Sequence, residues 1–209
     1  MVRRHGKSAI RCWLFAGIAL VLALAAPLND AAAQQVPNPV NLNVPLVRQE
    51  TPVWCWLAVS EMIIRYRNLG MSMRQCEMLE IGYGLPGGTC CGDPMRCQRT
   101  GYGMQEVQLV LAQFGGVVAM HTPPLNPIQL YGALQSGHPV IVQIRSGQTS
   151  SHVIVIRGMR FEPQMMMTPY GPQMGVQPML LVNDPLGFMP AEVPFEQLVR
   201  IWMDSLIIQ

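Results

Sequence analysis

Gln49, Cys55 and His152 are residue types that can share one piece of chemistry, and their surroundings favour it. The run Gln49-Glu-Thr-Pro-Val-Trp-Cys55-Trp56 places a cysteine at the start of an expected helix, where unpaired backbone N–H groups and the helix dipole favour a thiolate. A glutamine six residues earlier can bring a side-chain amide to the same spot and donate to a developing oxyanion, beside the Cys55 backbone N–H. His152 follows the turn-forming stretch Ser146–Ser151 and enters the apolar run Val153-Ile-Val-Ile, so a strand fixes its backbone while its ring stays reachable. A thiol with such a base is a nucleophilic acyl-transfer couple. The base needs a third group to orient it, and Val182-Asn183-Asp184-Pro185 closes a later strand that can lie beside the first. Asn183 and Asp184 point to opposite sides of a continuing strand, so only one of them faces the imidazole.

The other histidines are weaker candidates. His5 lies in the amino-terminal segment, His121 in a loop before Pro123-Pro124, and His138 between Gly137 and Pro139, where a turn accounts for it.

The elements that must position these residues follow from periodicity. Cys55, Ala58, Met62, Tyr66 and Leu69 recur at helical spacing and predict a helix from Trp54 to Leu69 with Gly70 as its stop. A second helix is expected over 71–80 with Ser72 as cap, a third over Met104–Phe114, and a fourth from Asn126-Pro127 to Gln135. Val44–Val47, Val140–Arg145, His152–Gly158, Met179–Asn183 and Ser205–Ile208 read as strands, with a short helix around Pro194–Trp202. Phe161–Pro178, rich in Met, Pro, Gln and Gly, reads as a long hairpin excursion. Helices first and an antiparallel sheet after them make the chain α+β.

Composition narrows the function classes. Residues 1–33 have the pattern of an export signal: Arg3, Arg4, Lys7 and Arg11, an apolar run from Cys12 to Ala26, and the small residues Ala31-Ala32-Ala33. That run is short for a membrane span, so no stable membrane insertion is expected after cleavage, and the location is secreted or periplasmic. The segment holds four of the 14 basic residues and one of the 12 acidic ones, which leaves ten against 11. The apparent net charge of +2 thus belongs to the signal, and the remainder has no electrostatic footprint for nucleic acid. Lys7 is the only lysine, which excludes lysine-dependent chemistry from the exported part. The organisation expected is 1–33 signal, 34–43 extended lead-in and 44–209 a single domain.

Five cysteines remain after the signal, and an odd number in an exported chain implies two bridges and one free thiol. Cys76, Cys90, Cys91 and Cys97 cluster in and around a glycine-rich stretch; Cys55 stands apart. A bridge between adjacent cysteines is sterically poor, which leaves Cys76–Cys90 with Cys91–Cys97, or Cys76–Cys91 with Cys90–Cys97. Cys90-Cys91 and Cys97 with His121 do not have zinc spacing, so no metal is expected. No cofactor is expected either. Met165–Met167 and Met174 read as gap-filling or a flexible contact surface rather than a copper site.

Together these residues resemble a papain-like cysteine peptidase, from about Val44 to the C-terminus. The Asp184-Pro185 pair and His152-Val-Ile-Val-Ile-Arg-Gly resemble its short bacterial branch, which includes secreted effector proteases and bacteriocin-leader peptidases. The resemblance implies a nucleophile helix packed on an antiparallel sheet. It implies Cys55 as nucleophile, His152 as base then acid, Asp184 rather than Asn183 as orienting residue, and Gln49 as oxyanion donor. The implied partner is a peptide or protein substrate. The rivals are an amidase or acyltransferase with the same triad, and a catalytically silent binding module. The cysteine-rich loop at 76–97 and the excursion at 161–178 depart from the family pattern.

Overall fold

A computed structural model of the chain describes residues 36–67, 73–101 and 103–209. The expected signal, Leu69, Gly70 and Ser72 lie outside the described residues.

An antiparallel sheet divides the fold into two helical layers. Its strands are β1 (Val40–Asn41), β2 (Ala119–Thr122), β3 (Val140–Arg145), β4 (Ser151–Thr168), β5 (Gly171–Asn183), β6 (Glu192–Pro194) and β7 (Trp202–Ile208). The order across the sheet is β2-β7-β3-β4-β5-β6, and β1 pairs with β4 at Gly158 and Met159, beyond the end of β3. Backbone approaches closely there: a Cβ on Gly158 would lie 2.4 Å from the Val40 carbonyl oxygen, so the crossing demands glycine.

Both faces of the central strands are buried, which is why they read as continuous apolar runs rather than alternating ones. Val153, Val155, Ile141, Leu206 and Ile208 face α1 (Cys55–Arg67), α2 (Gln75–Gly82) and α3 (Met104–Gly115). Ile154, Ile156, Val140, Val142 and Val182 face the other way, toward Leu130 and Leu134 of α4 (Pro127–Gln135) and Phe195 and Leu198 of α5 (Phe195–Leu198). α1 buries Trp56 through Ile64 without a break, because it is wedged between the sheet and α3. Asn126 caps α4 by accepting from Gln129 N–H, and Gly116 closes α3 in the left-handed conformation at φ 60°.

Several expectations are corrected. Val44–Val47 is not a strand; Pro45 removes a donor there, and the strand pairing lies earlier, at Val40–Asn41, inside the stretch read as a lead-in. The second helix begins at Gln75, with Arg74 as its cap. β2 and β6 are additional strands, and His121 is on β2 rather than in a loop. The carboxy-terminal helix is one turn, since Trp202 already belongs to β7.

The 161–178 excursion is a hairpin formed by β4 and β5 running on in unbroken register from Arg160↔Met179 to Thr168↔Gly171. Met165, Met167, Tyr170 and Met174 on this arm are exposed, so its methionines fill no gap in the core. Where the arm leaves the sheet, Arg157 is an extra residue between the pairs Ile156↔Val182 and Gly158↔Leu181. This bulge resets the alternation and puts Met159 on the same face as Ile156.

The bridges are Cys76–Cys91 and Cys90–Cys97. They fold the glycine-rich loop onto itself around Glu80, whose carboxylate accepts from the N–H groups of Gly88, Cys90 and Cys91. Those backbone bonds, led by that of Cys91, outweigh desolvation and hold the Glu80 carboxyl below its ordinary range. A closed loop of this length contributes about 3 kcal/mol in the chain-entropy account.

Candidate active site

The stapled loop is attached to the two residues flanking Cys55. Trp54 Nε1 donates to the Cys97 carbonyl (3.0 Å) and Trp56 Nε1 to the Arg99 carbonyl (3.2 Å). Both indoles are buried, so the tryptophans anchor the core and tie the loop to the start of α1 in one arrangement. Cys55 itself is the first residue of α1, only partly buried, and is the free cysteine among the described residues. Its own N–H and those after it belong to the first turn, which has no intrahelical acceptors.

His152, the second residue of β4, pairs across the sheet with Ile144. Its ring lies between two partners: Nε2 is 2.7 Å from Asp184 Oδ1, and the Cys55 side chain is near enough to favour the charged imidazole. Because Asp184 takes Nε2, Nδ1 is the nitrogen left free for the sulfur. Asp184 stands one residue past β5, where the ladder Val155↔Asn183, Ile156↔Val182 points it to the same face as His152. Asn183 faces the other way, donating to the Val44 carbonyl (2.9 Å) and accepting from Arg157 Nε (3.0 Å). The choice left open by residue chemistry is therefore made by register: the aspartate, not the asparagine, meets the imidazole.

The Asp184 carboxylate is held by more than the histidine. Oδ1 accepts from Leu186 N–H (2.8 Å) and Oδ2 from Met189 N–H (2.7 Å), so the turn after Pro185 wraps around it. Burial would raise its pKa, but the bonds from His152, Met189 and Leu186 prevail and hold it at about 2, against an ordinary 3.8. Burial likewise disfavours a charged His152. The bonds and charges of Asp184 and Cys55 overcome this and lift its pKa from 6.5 to about 9. Both shifts favour imidazolium beside carboxylate over most of the working pH range. The exposed Phe188 meets the His152 ring edge-on, with centroids 6.3 Å apart, and adds an apolar wall that the sequence did not single out.

Gln49 lies where the chain passes between the Asp184-Pro185 turn and α1. Its N–H donates to the Pro185 carbonyl (3.2 Å), and its Nε2 donates to the Thr51 carbonyl (2.7 Å), which also receives the Trp54 N–H. Oε1 is buried without a partner. The amide is thus tethered at one point to the turn leading into Cys55, and no second acceptor for Nε2 occurs among the described residues. His121 is elsewhere, 2.6 Å from Asp204 across β2 and β7, and His138 Nδ1 is buried without a partner.

Comparisons with known proteins identify the family. The model of the family described as papain-like cysteine protease AvrRpt2 matches residues 38–187, more than two thirds of the chain. The chain belongs to that family. Gln49, Cys55, His152 and Asp184 all fall within the matched span. This papain-like protease is thus a cysteine-type peptidase, as its residues suggest. Comparison with curated proteins finds no match. Among solved structures, a C39-like peptidase from Bacillus anthracis is 14% identical at a TM-score of 0.48, with 83% of this chain and 98% of that one covered. The peptidase domain of Streptococcus ComA, a bifunctional ABC transporter, is 14% identical at 0.49, covering 79% and 97%. UfSP from C. elegans is 15% identical at 0.50, covering 87% of this chain and 36% of that one, a likeness of fold.

The papain-like arrangement predicts selective alkylation. Below pH 9 a positive imidazole stands beside the Cys55 sulfur, and the other four described cysteines are bridged. In the oxidised protein at mildly acidic pH, iodoacetamide is expected to label Cys55 rapidly and alone. Equal labelling of Cys76 in a peptide map, or slow labelling of Cys55, would count against the assignment.

Proposed function

We propose that the protein is an exported peptidase that cuts peptide bonds through a Cys55–His152–Asp184 triad and an acyl-enzyme, with Gln49 as an oxyanion donor. The observation that carries this reading is the buried His152 ring held at 2.7 Å by Asp184, with the free thiol of Cys55 near enough to favour its charged form. The Cys55 sulfur attacks the scissile carbonyl carbon, and the carbonyl oxygen takes the negative charge between the Cys55 N–H and the Gln49 amide. His152 Nδ1 then gives its proton to the leaving nitrogen as the C–N bond breaks, leaving a thioester on Cys55. A water, deprotonated by the same Nδ1, attacks the thioester and releases the carboxylic acid, and the sulfur leaves as thiolate. Asp184 keeps Nε2–H occupied, so that Nδ1 is the nitrogen that exchanges protons with substrate.

The test is cleavage of a mixed fluorogenic peptide library by protein lacking residues 1–33, with and without prior treatment by iodoacetamide. Cleavage that alkylation abolishes supports the peptidase. Transfer of the acyl group to added amines without hydrolysis would move the reading to an acyltransferase. No turnover by protein whose Cys55 alkylates normally would leave a binding module. Export is tested separately by N-terminal sequencing of the secreted or periplasmic protein, with a start near Gln34 expected.

His152 also sets the alkaline limit. Proton donation to the leaving group needs the imidazolium, which is lost as pH rises through about 9. kcat/KM is therefore expected to fall above about pH 9, and a limb near pH 7 would mean that Asp184 does not support His152 during turnover.

A further inference from the structure

Gln75 is the first residue of α2, 1% exposed, and every polar atom of its side chain is engaged. Oε1 accepts from the Glu50 N–H at 3.0 Å, and Nε2 donates to the Arg48 carbonyl at 2.8 Å and to Glu61 Oε2 at 3.0 Å. The two backbone partners are the residues on either side of Gln49. In extended chain, the carbonyl of one residue and the N–H two residues later point to the same side, where a neighbouring strand would pair with them. Gln75 takes that place with a single planar amide, which turns one of its two donors and its acceptor oxygen to the segment at peptide-like spacing. On the opposite side, the Gln49 N–H goes to the Pro185 carbonyl. The segment is therefore held along both edges although it belongs to no strand.

Glu61 in turn holds the amide. It is a buried residue of α1, two turns after Cys55, paired with Arg65, and burial pushes its carboxyl pKa up. The connection runs from the nucleophile helix through Glu61 and Gln75 to the backbone around Gln49. Cys76, the next residue, is bridged to Cys91, in the loop that the flanking tryptophans grip. We infer that Gln75 is a positioning residue that holds the Arg48–Glu50 backbone so that the Gln49 amide meets the oxyanion. This rests on the oxyanion role proposed for Gln49.

The experiment compares Gln75→Leu, which loses all three bonds, Gln75→Glu, which keeps the acceptor and loses both donors, Gln49→Ala, and Gln49→Ala with Gln75→Leu. Each is measured for kcat and KM on the best-cleaved fluorogenic peptide, and for the rate of Cys55 alkylation by iodoacetamide. Alkylation forms no oxyanion, so it reports folding and the Cys55–His152 pair alone. Gln49→Ala is expected to lower kcat by about 10². Gln75→Leu and Gln75→Glu are expected to lower kcat by about tenfold or more, with KM and alkylation within about twofold of the parent protein. In the Gln49→Ala background, Gln75→Leu should cost less than about a further twofold, because the group it acts through is already gone.

Additive losses in the double variant, or equal losses of kcat and alkylation, would overturn the inference while leaving Gln49 in its role. An unchanged kcat in Gln49→Ala would instead remove the oxyanion reading itself. Should Gln75→Leu fail to fold, Gln75→Asn decides: its amide is one methylene too short to span both sites, so unchanged turnover would overturn the inference and a kcat-selective loss would support it.

Discussion

Replacing Cys55 by alanine is expected to leave no measurable peptide turnover, and replacing His152 by alanine to lower kcat/KM by about 10²–10⁴. In His152→Ala, alkylation of Cys55 should also slow to that of an ordinary partly buried thiol. Both losses have one origin, because in the proposed mechanism His152 is both the base for the sulfur and the charge beside it. No other histidine in the described residues is placed to take over: His121 is committed to Asp204, and His138 lies at the turn before β3 with its Nδ1 buried. Single-turnover and steady-state rates on one fluorogenic peptide, beside the alkylation rate, give the measurement. Turnover in His152→Ala within tenfold of the parent, or any alkylation-sensitive cleavage by Cys55→Ala, would remove these residues from the mechanism.

Asp184→Ala should lower kcat/KM by at least about tenfold, roughly 1.4 kcal/mol of transition-state stabilisation, and destabilise the fold by about 3–5 kcal/mol. The stability loss is large because truncation strips the buried imidazole of its counter-charge and leaves the Leu186 and Met189 N–H groups without their acceptor. Asn183→Ala is the control: it loosens Arg157 and the Val44 carbonyl and should spare turnover. The reverse order of the two effects would move the orienting role to Asn183. The pH dependence adds a second check. With His152 raised to about 9, its contribution to stability is fully present below 6.5 and disappears as pH rises through 9. With Asp184 lowered to about 2, its contribution is present above 3.8 and disappears as pH falls through 2. These are two ends of one interaction, so Asp184→Ala should flatten urea-unfolding free energy against pH at both ends.

The parts of the site carried by local chemistry were legible without coordinates. Cys55 stood out because the other cysteines after residue 33 cluster, and His152 because a turn delivers it into an apolar strand. Asn126-Pro127 marked a helix start for reasons of hydrogen bonding that operate within four residues. The choice between Asp184 and Asn183 was not legible from residue types, since it depends on which face β5 turns to β4, a property of the pairing register. Gln75 was invisible for the same kind of reason: its partners lie 14 to 27 residues away, and a glutamine at a helix start has no local signature. The missed strands β1, β2 and β6 are two to four residues long, too short for periodicity. The arm of β4 and β5 was legible as a hairpin excursion, but not that its pairing runs on through Pro163, Pro172 and Pro178, because proline weakens a strand pattern.

The order in which the site residues occur along the chain bears on how a peptidase is made safely. Cys55 emerges from the ribosome 97 residues before His152, and Asp184 follows 32 residues after that. At synthesis rates of about 5–20 residues per second, Cys55 spends roughly 5–20 s on the ribosome before His152 is made. During that time α1 has no β4 to pack on, and the indoles of Trp54 and Trp56 gain their carbonyl partners only when Cys97 and Arg99 have appeared. In the proposed mechanism a nascent chain therefore carries a thiol but no couple, and cutting ability is acquired only after the second half of the sheet has been laid down.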